Sequence, residues 1–200
     1  MKLGGPLQLV LLSGLKDMGW FTSFYEKKSI DQHGKPIPWF TYPFFMFLKS
    51  RISSNIRILE YGCGSSTLWF SDKVREIVSI EHDKSWFSAV GQNLPSNAKL
   101  ILKDNHPEAY ALLGNTDYGQ FELIIVDGLF RNECLINSLN LLTVDGVVIL
   151  DNSEREEYVE GVNFLIGQGF RKIDFWGMIP VVSNLSCTSV FYRSSNWMKI

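Results

Sequence analysis

Five runs of apolar residues, rich in Ile, Val and Leu, recur between residues 56 and 152 and alternate with longer mixed stretches. Strands that are covered by helices on both faces show this pattern, because both rows of their side chains are buried. The stretches between the runs carry apolar residues at helical spacing, so each can form a crossover helix. The pattern predicts an α/β fold with an open, mostly parallel sheet and helices on both faces. The predicted strands span 56–62, 76–83, 98–104, 121–128 and 146–152, and the predicted helices span 67–74, 85–94 and 131–142.

The two ends of the chain depart from this alternation. Residues 170–178 and 188–193 form two further apolar runs close together in sequence, which predicts a C-terminal antiparallel hairpin. Residues 1–50 carry ten aromatic residues, interrupted by the polar stretch 31–38. We expect an N-terminal helical and aromatic extension here, which covers one side of the sheet or forms a wall of a substrate pocket. The main domain is expected to span residues 51–200.

Composition and charge argue against several classes of partner. Lys and Arg total 19 against 21 Asp and Glu, and no long run of one sign supplies the basic surface of a nucleic-acid-binding protein. The aromatic segment 39–48 is shorter than the ~18 apolar residues of a membrane span, and segment 1–15 is more typical of an amphipathic helix than of a signal peptide. We therefore expect neither nucleic acid nor a membrane as partner. The three cysteines are widely spaced, which favours a reducing, cytoplasmic location, and the oligomeric state, monomer or homodimer, stays open.

Carboxylates stand at the ends of four of the five predicted strands. In an open α/β sheet, ligands bind outside the carboxyl ends of the strands, near the point where the strand order reverses. One edge of the sheet is therefore expected to be acidic, which suits a cationic or hydroxyl-rich ligand better than a phosphate. The four carboxylates are Glu60, Glu81, Asp127 and Asp151, and Asp104 is a looser fifth case.

The segment EYGCGSST at 60–67 follows the first predicted strand. Gly62 and Gly64 allow a sharp turn and a close approach of a ligand, and a helix opens directly after them. Ser66 replaces the third glycine of a dinucleotide-binding loop, so an ordinary tight turn is an equally good interpretation of this segment alone. Glu81 comes 21 residues after Glu60, at the separation expected for a carboxylate that accepts hydrogen bonds from ribose hydroxyls. A solvated surface acid is the alternative for Glu81.

Together these motifs resemble those of class I methyltransferases that use S-adenosylmethionine. The resemblance covers residues 56–193 and includes ILEYGCGSST, VSIEHD, FELIIVDG, GVVILDN and the closing hairpin. It implies a Rossmann-like, seven-stranded sheet, main-chain contacts from the glycines to the methionine part of the cofactor, and a ribose bound by Glu81. It also implies an adenine near Asp104 or Asn105, where a surface turn is an equally good account. The expected cofactor-binding residues are Glu60, Gly62, Gly64, Ser66, Glu81, Asp104 and Asp127.

A finer resemblance connects the chain to metal-dependent O-methyltransferases. These enzymes bind a divalent ion with an aspartate after the fourth strand and an Asp-Asn pair after the fifth, which here implies Mg²⁺ bound by Asp127, Asp151 and Asn152. The chain departs from that family after the fourth strand, where it has Arg131 in place of a lysine-containing segment. The alternative is that Asp151 and Asn152 cap a helix over SEREEYVEGVNFLI.

We therefore expect a transferase that methylates a small-molecule or sugar-like acceptor, most simply on oxygen. Asp127 and Asp151 are the candidate catalytic bases. Two alternatives remain: an NAD-linked Rossmann oxidoreductase, and a non-catalytic binding protein that retains the methyltransferase fold. The candidate acceptor-lining residues are Trp39, Tyr42, Pro43, Arg131 and Trp176.

Overall fold

The computed structural model describes residues 4–92, 94–113 and 118–200. Seven strands form one sheet in the order β3-β2-β1-β4-β5-β7-β6. The first five strands are parallel, and β7 runs antiparallel to both β5 and β6. The predicted fold class, including the C-terminal hairpin, is confirmed. The strands are β1 Arg57–Tyr61, β2 Glu76–Glu81, β3 Ala98–Leu102, β4 Phe121–Val126, β5 Leu142–Leu150, β6 Arg171–Met178 and β7 Leu185–Tyr192.

Helices cover both faces of this sheet. Each crossover between parallel strands contains a helix; the sequence predicted three of the four and missed Pro107–Ala111, between β3 and β4. Two short 3₁₀ helices, Leu139–Leu141 and Glu156–Tyr158, precede β5 and the last α-helix. The α-helices in the described residues are α1 Gly4–Leu12, α2 Gly14–Asp17, α3 Trp20–Glu26, α4 Tyr42–Lys49, α5 Ser65–Ser71, α6 Lys84–Gly91, α7 Pro107–Ala111, α8 Arg131–Asn137 and α9 Val159–Gly167.

Strand β5 begins four residues earlier than the sequence predicts. Its first residue, Leu142, pairs with Phe121, and a register shift then brings Val147 opposite Leu123. A Cβ atom on Gly146 would lie 2.5 Å from the Leu142 side chain, so the irregular strand requires glycine there. The polar stretch TVDG at 143–146 resembles a turn in sequence, but in the structure it belongs to β5, where the register shift accommodates the extra residues.

The N-terminal extension packs against one face of the sheet. Phe40, Phe44 and Leu48 are fully buried, and they belong to the same core cluster as strand residues such as Ile58 and Ile125. The opposite face is covered by α7, α8 and α9. The extension and helix α5 therefore share the layer that covers the first of these two faces of the sheet.

Helix α1 does not match the amphipathic helix expected for segment 1–15. It forms over Gly4–Leu12, but none of its residues is buried, and Leu7 and Leu12 are 58% and 78% exposed. Its apolar residues lie around the whole helix, so no single apolar face exists for the core to cover. Among the described residues, no helix has the length and apolar character needed to cross a bilayer.

The strand order reverses between β1 and β4. Tyr61, the last residue of β1, pairs with Ile80 of β2 on one side and with Val126 of β4 on the other. The carboxyl ends of β1, β2, β4 and β5 therefore meet at one edge, the place where ligands bind in open α/β sheets.

Candidate functional site

A sharp turn after β1 brings two chain segments into contact. Gly62 has φ +99°, a left-handed conformation, and a Cβ atom there would lie 3.3 Å from the main chain of Gly128. The loop after β1 and the loop after β4 therefore touch, and glycine at position 62 permits both the turn and the contact. Glycine at position 62 is therefore needed for the fold at this point, and its main chain is also available to contact a ligand.

Glu60 lies beneath the glycine loop and is only 1% exposed. Its carboxylate accepts hydrogen bonds from Ser66 and from Thr67 and Ser79, the last two at 2.6 and 2.5 Å. The Thr67 hydroxyl also accepts the main-chain N–H of Gly64 at 3.0 Å, so the network fixes the loop to the start of α5. Burial raises the pKa of Glu60 to about 7, and the three hydroxyl donors offset only part of that rise.

The two carboxylate oxygens of Glu81, at the end of β2, differ in their hydrogen bonding: Oε1 accepts several hydrogen bonds, and Oε2 accepts one weak one. Oε1 accepts the main-chain N–H groups of His82 and Asp83 at 2.7 and 2.9 Å, and it lies 2.9 Å from His82 Nδ1. Oε2 has a single contact among the described residues, the weak thiol donor of Cys63 at 3.6 Å. The side chain is thus oriented by its own loop, and one oxygen can accept hydrogen bonds from a ligand.

Gly62 and Glu81 line one shared cavity of about 330 Å³ at the switch point, which we call the glycine-loop cavity. The structure brings five of the seven predicted cofactor residues into its wall, and Gly64 lies beside it in the adjoining cavity described below. The residues that line it are Glu60, Gly62, Cys63, Ser66, Glu81, His82, Tyr110, Asp127, Gly128, Leu129 and Arg131.

Asp104 lies apart from this cavity. Strand β3 ends at Leu102, so Asp104 stands in the following turn, where its carbonyl accepts the N–H of His106 at 2.8 Å. It is exposed, and the open groove around it shares no lining residue with the glycine-loop cavity. The structure therefore does not bring Asp104 together with the other predicted cofactor residues.

Tyr110 and Gly128 shape the cavity, and sequence reasoning missed both. Tyr110 is fully buried on α7, and its hydroxyl lies 3.3 Å from the carbonyl of Ile80. A Cβ atom at position 128 would stand 2.1 Å from that hydroxyl, so the tyrosine fits only against glycine. The glycine of the VDG motif was the one available signal, and the sequence contained nothing that pointed to its partner on α7.

Asp127 is the residue at which three cavities meet. It lines the glycine-loop cavity, a second cavity of about 170 Å³ beside Lys28, Trp39 and Gly64, and a third of about 320 Å³ beside Trp39, Asp151 and Arg155. We call the second the lysine cavity and the third the Arg155 cavity. A group bound in any of the three therefore has the Asp127 carboxylate within its wall.

Of the candidate acceptor-lining residues, Trp39 reaches this region and lies in the walls of both the lysine and the Arg155 cavities. Tyr42 belongs instead to the buried core, and Pro43 packs close to Gly177 on β6. Trp176 is 57% exposed on the edge strand β6. The indole of Trp39 is thus the part of the aromatic extension that borders the site.

The Arg131 guanidinium ties the ends of β4 and β5 together. Its nitrogens donate to the carbonyls of Gly128, Asp127 and Asp151, and they lie 3.2 Å from Asp127 Oδ1 and 3.3 Å from Asn152 Oδ1. The side chain is almost fully buried, and these bonds engage its donors on all three nitrogens. Sequence comparison flagged position 131 as a departure, but only the folded chain shows that its charge lies between the predicted metal ligands.

The predicted Mg²⁺ ligands do not fit a metal ion in this arrangement. The side-chain oxygens of Asp127 and Asn152 face a guanidinium, a permanent cation, and Asp151 Oδ1 accepts the Thr188 hydroxyl at 2.6 Å. The capping alternative is also wrong, because α9 begins at Val159 and Asn152 lies in a turn with φ +47°.

Asp151 is 2% exposed and is held in a chain of hydrogen bonds. The main-chain N–H of Thr41 donates to Thr188 Oγ1 at 3.1 Å, and that hydroxyl donates to Asp151. Burial, and then the nearby charge of Asp127, raise the pKa of Asp151 well above its ordinary value. Burial likewise raises the pKa of Asp127, and the charge of the neighbouring Arg131 offsets part of that rise.

Several solved structures of other proteins share this fold. A precorrin-6y C5,15-methyltransferase of Geobacter metallireducens superposes with a TM-score of 0.61 at 17% identity, covering 76% of this chain and 87% of that one. The chain has the class I methyltransferase fold. An rRNA methylase of Streptococcus thermophilus has a TM-score of 0.57 at 15% identity, with 76% and 96% of the two chains covered. A Streptococcus mutans protein in complex with SAH has a TM-score of 0.55 at 11% identity, with 75% and 97% covered.

The class I methyltransferase fold confirms the architecture that the sequence motifs implied. No protein-family model and no curated protein matches the chain, so the comparison with known proteins rests on these solved structures. Their substrates differ, and one of them is an rRNA methylase. The expectation that nucleic acid is not a partner therefore finds no support among the neighbours.

Proposed function

We propose that this protein binds S-adenosylmethionine in the glycine-loop cavity and transfers the methyl group to a small-molecule or sugar-like acceptor, on an oxygen atom. The observation that carries the proposal is the shared cavity in which Gly62, Glu81 and Asp127 meet at the switch point of the sheet. It supplies main-chain contacts, a hydroxyl acceptor and an acidic wall in one place.

The chemistry of the cavity suits this cofactor. When bound, S-adenosylmethionine supplies an electrophilic methyl group on a positively charged sulfur. The free oxygen of Glu81 is the acceptor that ribose hydroxyls need, and the turn at Gly62 lets the ligand approach the main chain closely. Glu60 and Ser66 hold the loop from below. The acidic wall favours a cation over a phosphate.

Asp127 is the proposed catalytic base. Arg131 donates to its Oδ1 and favours the charged form of the carboxylate, whereas no described residue donates a hydrogen bond to Oδ2. Since Asp127 also borders the Arg155 cavity, an acceptor hydroxyl placed there can give its proton to Oδ2 while its oxygen faces the glycine-loop cavity. Asp151 accepts the hydrogen bond of Thr188 and so helps to position this edge of the site.

The acceptor is proposed to be a small molecule because the formal charge of the chain is −2 and its sequence has no long basic run. The Arg155 cavity, about 320 Å³, is at the lower end of the range for small-molecule sites. A cytoplasmic location is proposed on the basis of the three free cysteines. The oligomeric state, monomer or homodimer, remains a prediction to be measured.

Two experiments test the proposal. Calorimetric titrations with S-adenosylmethionine, S-adenosylhomocysteine and NADH, each with and without Mg²⁺, are expected to detect binding of the two adenosyl compounds alone, with no effect of Mg²⁺. Transfer of labelled methyl groups is then expected to a small-molecule fraction of cell extract, and not to purified RNA or DNA. Binding of NADH alone contradicts the cofactor, and tight cofactor binding without transfer to any acceptor favours a non-catalytic protein of the same fold.

A further inference from the structure

The lysine cavity adjoins the glycine-loop cavity and differs from it in charge. The two cavities share Cys63, Ser66 and Asp127 in their walls. The wall of the lysine cavity also contains Lys27, Lys28 and Gly64. A ligand that occupies both cavities therefore meets carboxylates in one wall and two lysine residues in the other.

The two lysines have no anionic partner among the residues that the structure describes. Lys27 Nζ lies 4.0 Å above the ring of Phe24, a cation–π contact, and Lys28 is exposed without an ion pair. The other cation at the site, Arg131, is engaged by main-chain carbonyls and by Asp127. Lys28 is thus the cation most available to an incoming anionic group.

The position of the lysines is fixed by the fold. Helix α3 ends where Lys27 adopts φ +54°, and the chain then turns toward the glycine loop. On one side of the turn, Ser23 Oγ donates to the carbonyl of Ile30 at 2.6 Å and accepts its N–H at 3.1 Å. On the other side, the Ser29 hydroxyl donates to the carbonyl of Ile37 at 2.8 Å. The turn is anchored at both ends and presents its lysines to the cavity.

We infer that Lys28, assisted by Lys27, binds the carboxylate of the amino-acid part of S-adenosylmethionine, so that the N-terminal extension forms part of the cofactor site. The inference rests on the proposed function. At neutral pH the amino-acid part of this cofactor carries an ammonium and a carboxylate. In the glycine-loop cavity, Glu81 and Asp127 repel a carboxylate, and the Arg131 guanidinium in its wall is already engaged by carbonyls and by Asp127. The lysine cavity shares Asp127 but adds Lys28, which forms no ion pair among the described residues, and Lys27 beside it.

A pair of ligands that differ only in this carboxylate tests the inference. The probes are S-adenosylhomocysteine and its decarboxylated analogue, in which a propylamine chain replaces the amino acid. The acidic wall alone favours the analogue, since the analogue carries one more net positive charge. Binding of the carboxylate by Lys28 reverses that order, and we expect wild-type protein to bind S-adenosylhomocysteine about tenfold more tightly in calorimetric titrations.

The variant Lys28→Gln is expected to weaken binding of S-adenosylhomocysteine about fivefold and to leave binding of the decarboxylated analogue unchanged. The double variant Lys27→Gln/Lys28→Gln should bring the two affinities to near equality. Lys84→Gln is the matched control, because Lys84 is exposed at the start of α6 and lies outside the lysine cavity. Circular dichroism and thermal melts verify that each variant is folded.

Equal affinity for both ligands in the wild-type protein, or an unchanged ratio in the double variant, overturns the role of the lysines and leaves the proposed function intact. Failure of the wild-type protein to bind any adenosyl compound contradicts the proposed function itself, and the inference falls with it.

Discussion

Replacing Glu60 by glutamine should change how the stability of the protein depends on pH. Burial raises the pKa of Glu60 from 4.5 to about 7 in the folded protein, so the folded state retains a proton that the unfolded state releases. The stabilisation from this group is therefore fully present below pH 4.5 and is lost as the pH rises to about 7. Since a tenfold change in proton affinity corresponds to about 1.4 kcal/mol, the loss amounts to about 3 kcal/mol of unfolding free energy.

Urea unfolding followed by tryptophan fluorescence measures this effect at several pH values between 4.5 and 7.5. Because Glu60→Gln cannot ionise, the stability of wild-type protein relative to the variant should fall by about 3 kcal/mol across that interval. Glu108→Gln is the control, because it removes an exposed glutamate on α7 and so measures the effect of losing a carboxylate at the surface. A relative stability that stays constant or increases with pH would show that Glu60 is ionised in the folded protein, and the reasoning from its burial would be wrong.

Four further predictions concern the site. Glu81→Ala should weaken binding of S-adenosylhomocysteine about tenfold or more, because ribose hydroxyls lose their acceptor, and unchanged affinity in calorimetry removes Glu81 from the site. Gly128→Ala should lower unfolding free energy by about 1–3 kcal/mol through the clash with the Tyr110 hydroxyl, and adding Tyr110→Phe should recover part of it in urea melts; no recovery contradicts the contact. Asp127→Asn should lower kcat about 100-fold or more, because the acceptor hydroxyl loses its base, whereas Asp151→Asn, which still offers an oxygen to the Thr188 hydroxyl, should retain most activity; the opposite order of the two rates contradicts the assignment. Excess chelator should leave the wild-type rate unchanged, because Arg131 lies where a metal would be needed.

The fold could be predicted because the sheet is encoded locally. Each buried parallel strand is a short apolar run, and the order of strands and helices leaves few possible topologies. The same logic located the carboxylates, since Glu60, Glu81, Asp127 and Asp151 follow strands whose ends must meet at one edge. Their convergence required no knowledge of side-chain conformation.

The features of the site that could not be predicted from the sequence depend on contacts between distant segments. The fit of Tyr110 against Gly128 joins α7 to the loop after β4, and no local pattern encodes it. Arg131 was identified from sequence as a departure from a metal-binding pattern, but the reach of its guanidinium toward Asp127 and Asn152 depends on how α8 packs. The start of α9 was placed too early because the polar stretch after β5 contains residues that also favour helix starts.

The central claim is that Gly62 and Glu81 form one receptor for an adenosyl group. A crystal structure of the protein with S-adenosylhomocysteine tests it most directly. The account predicts a ribose hydroxyl oxygen within about 3.2 Å of a Glu81 carboxylate oxygen, with the amino-acid chain of the ligand passing the main chain at Gly62. A ligand bound elsewhere, or one whose ribose faces away from Glu81, would contradict it.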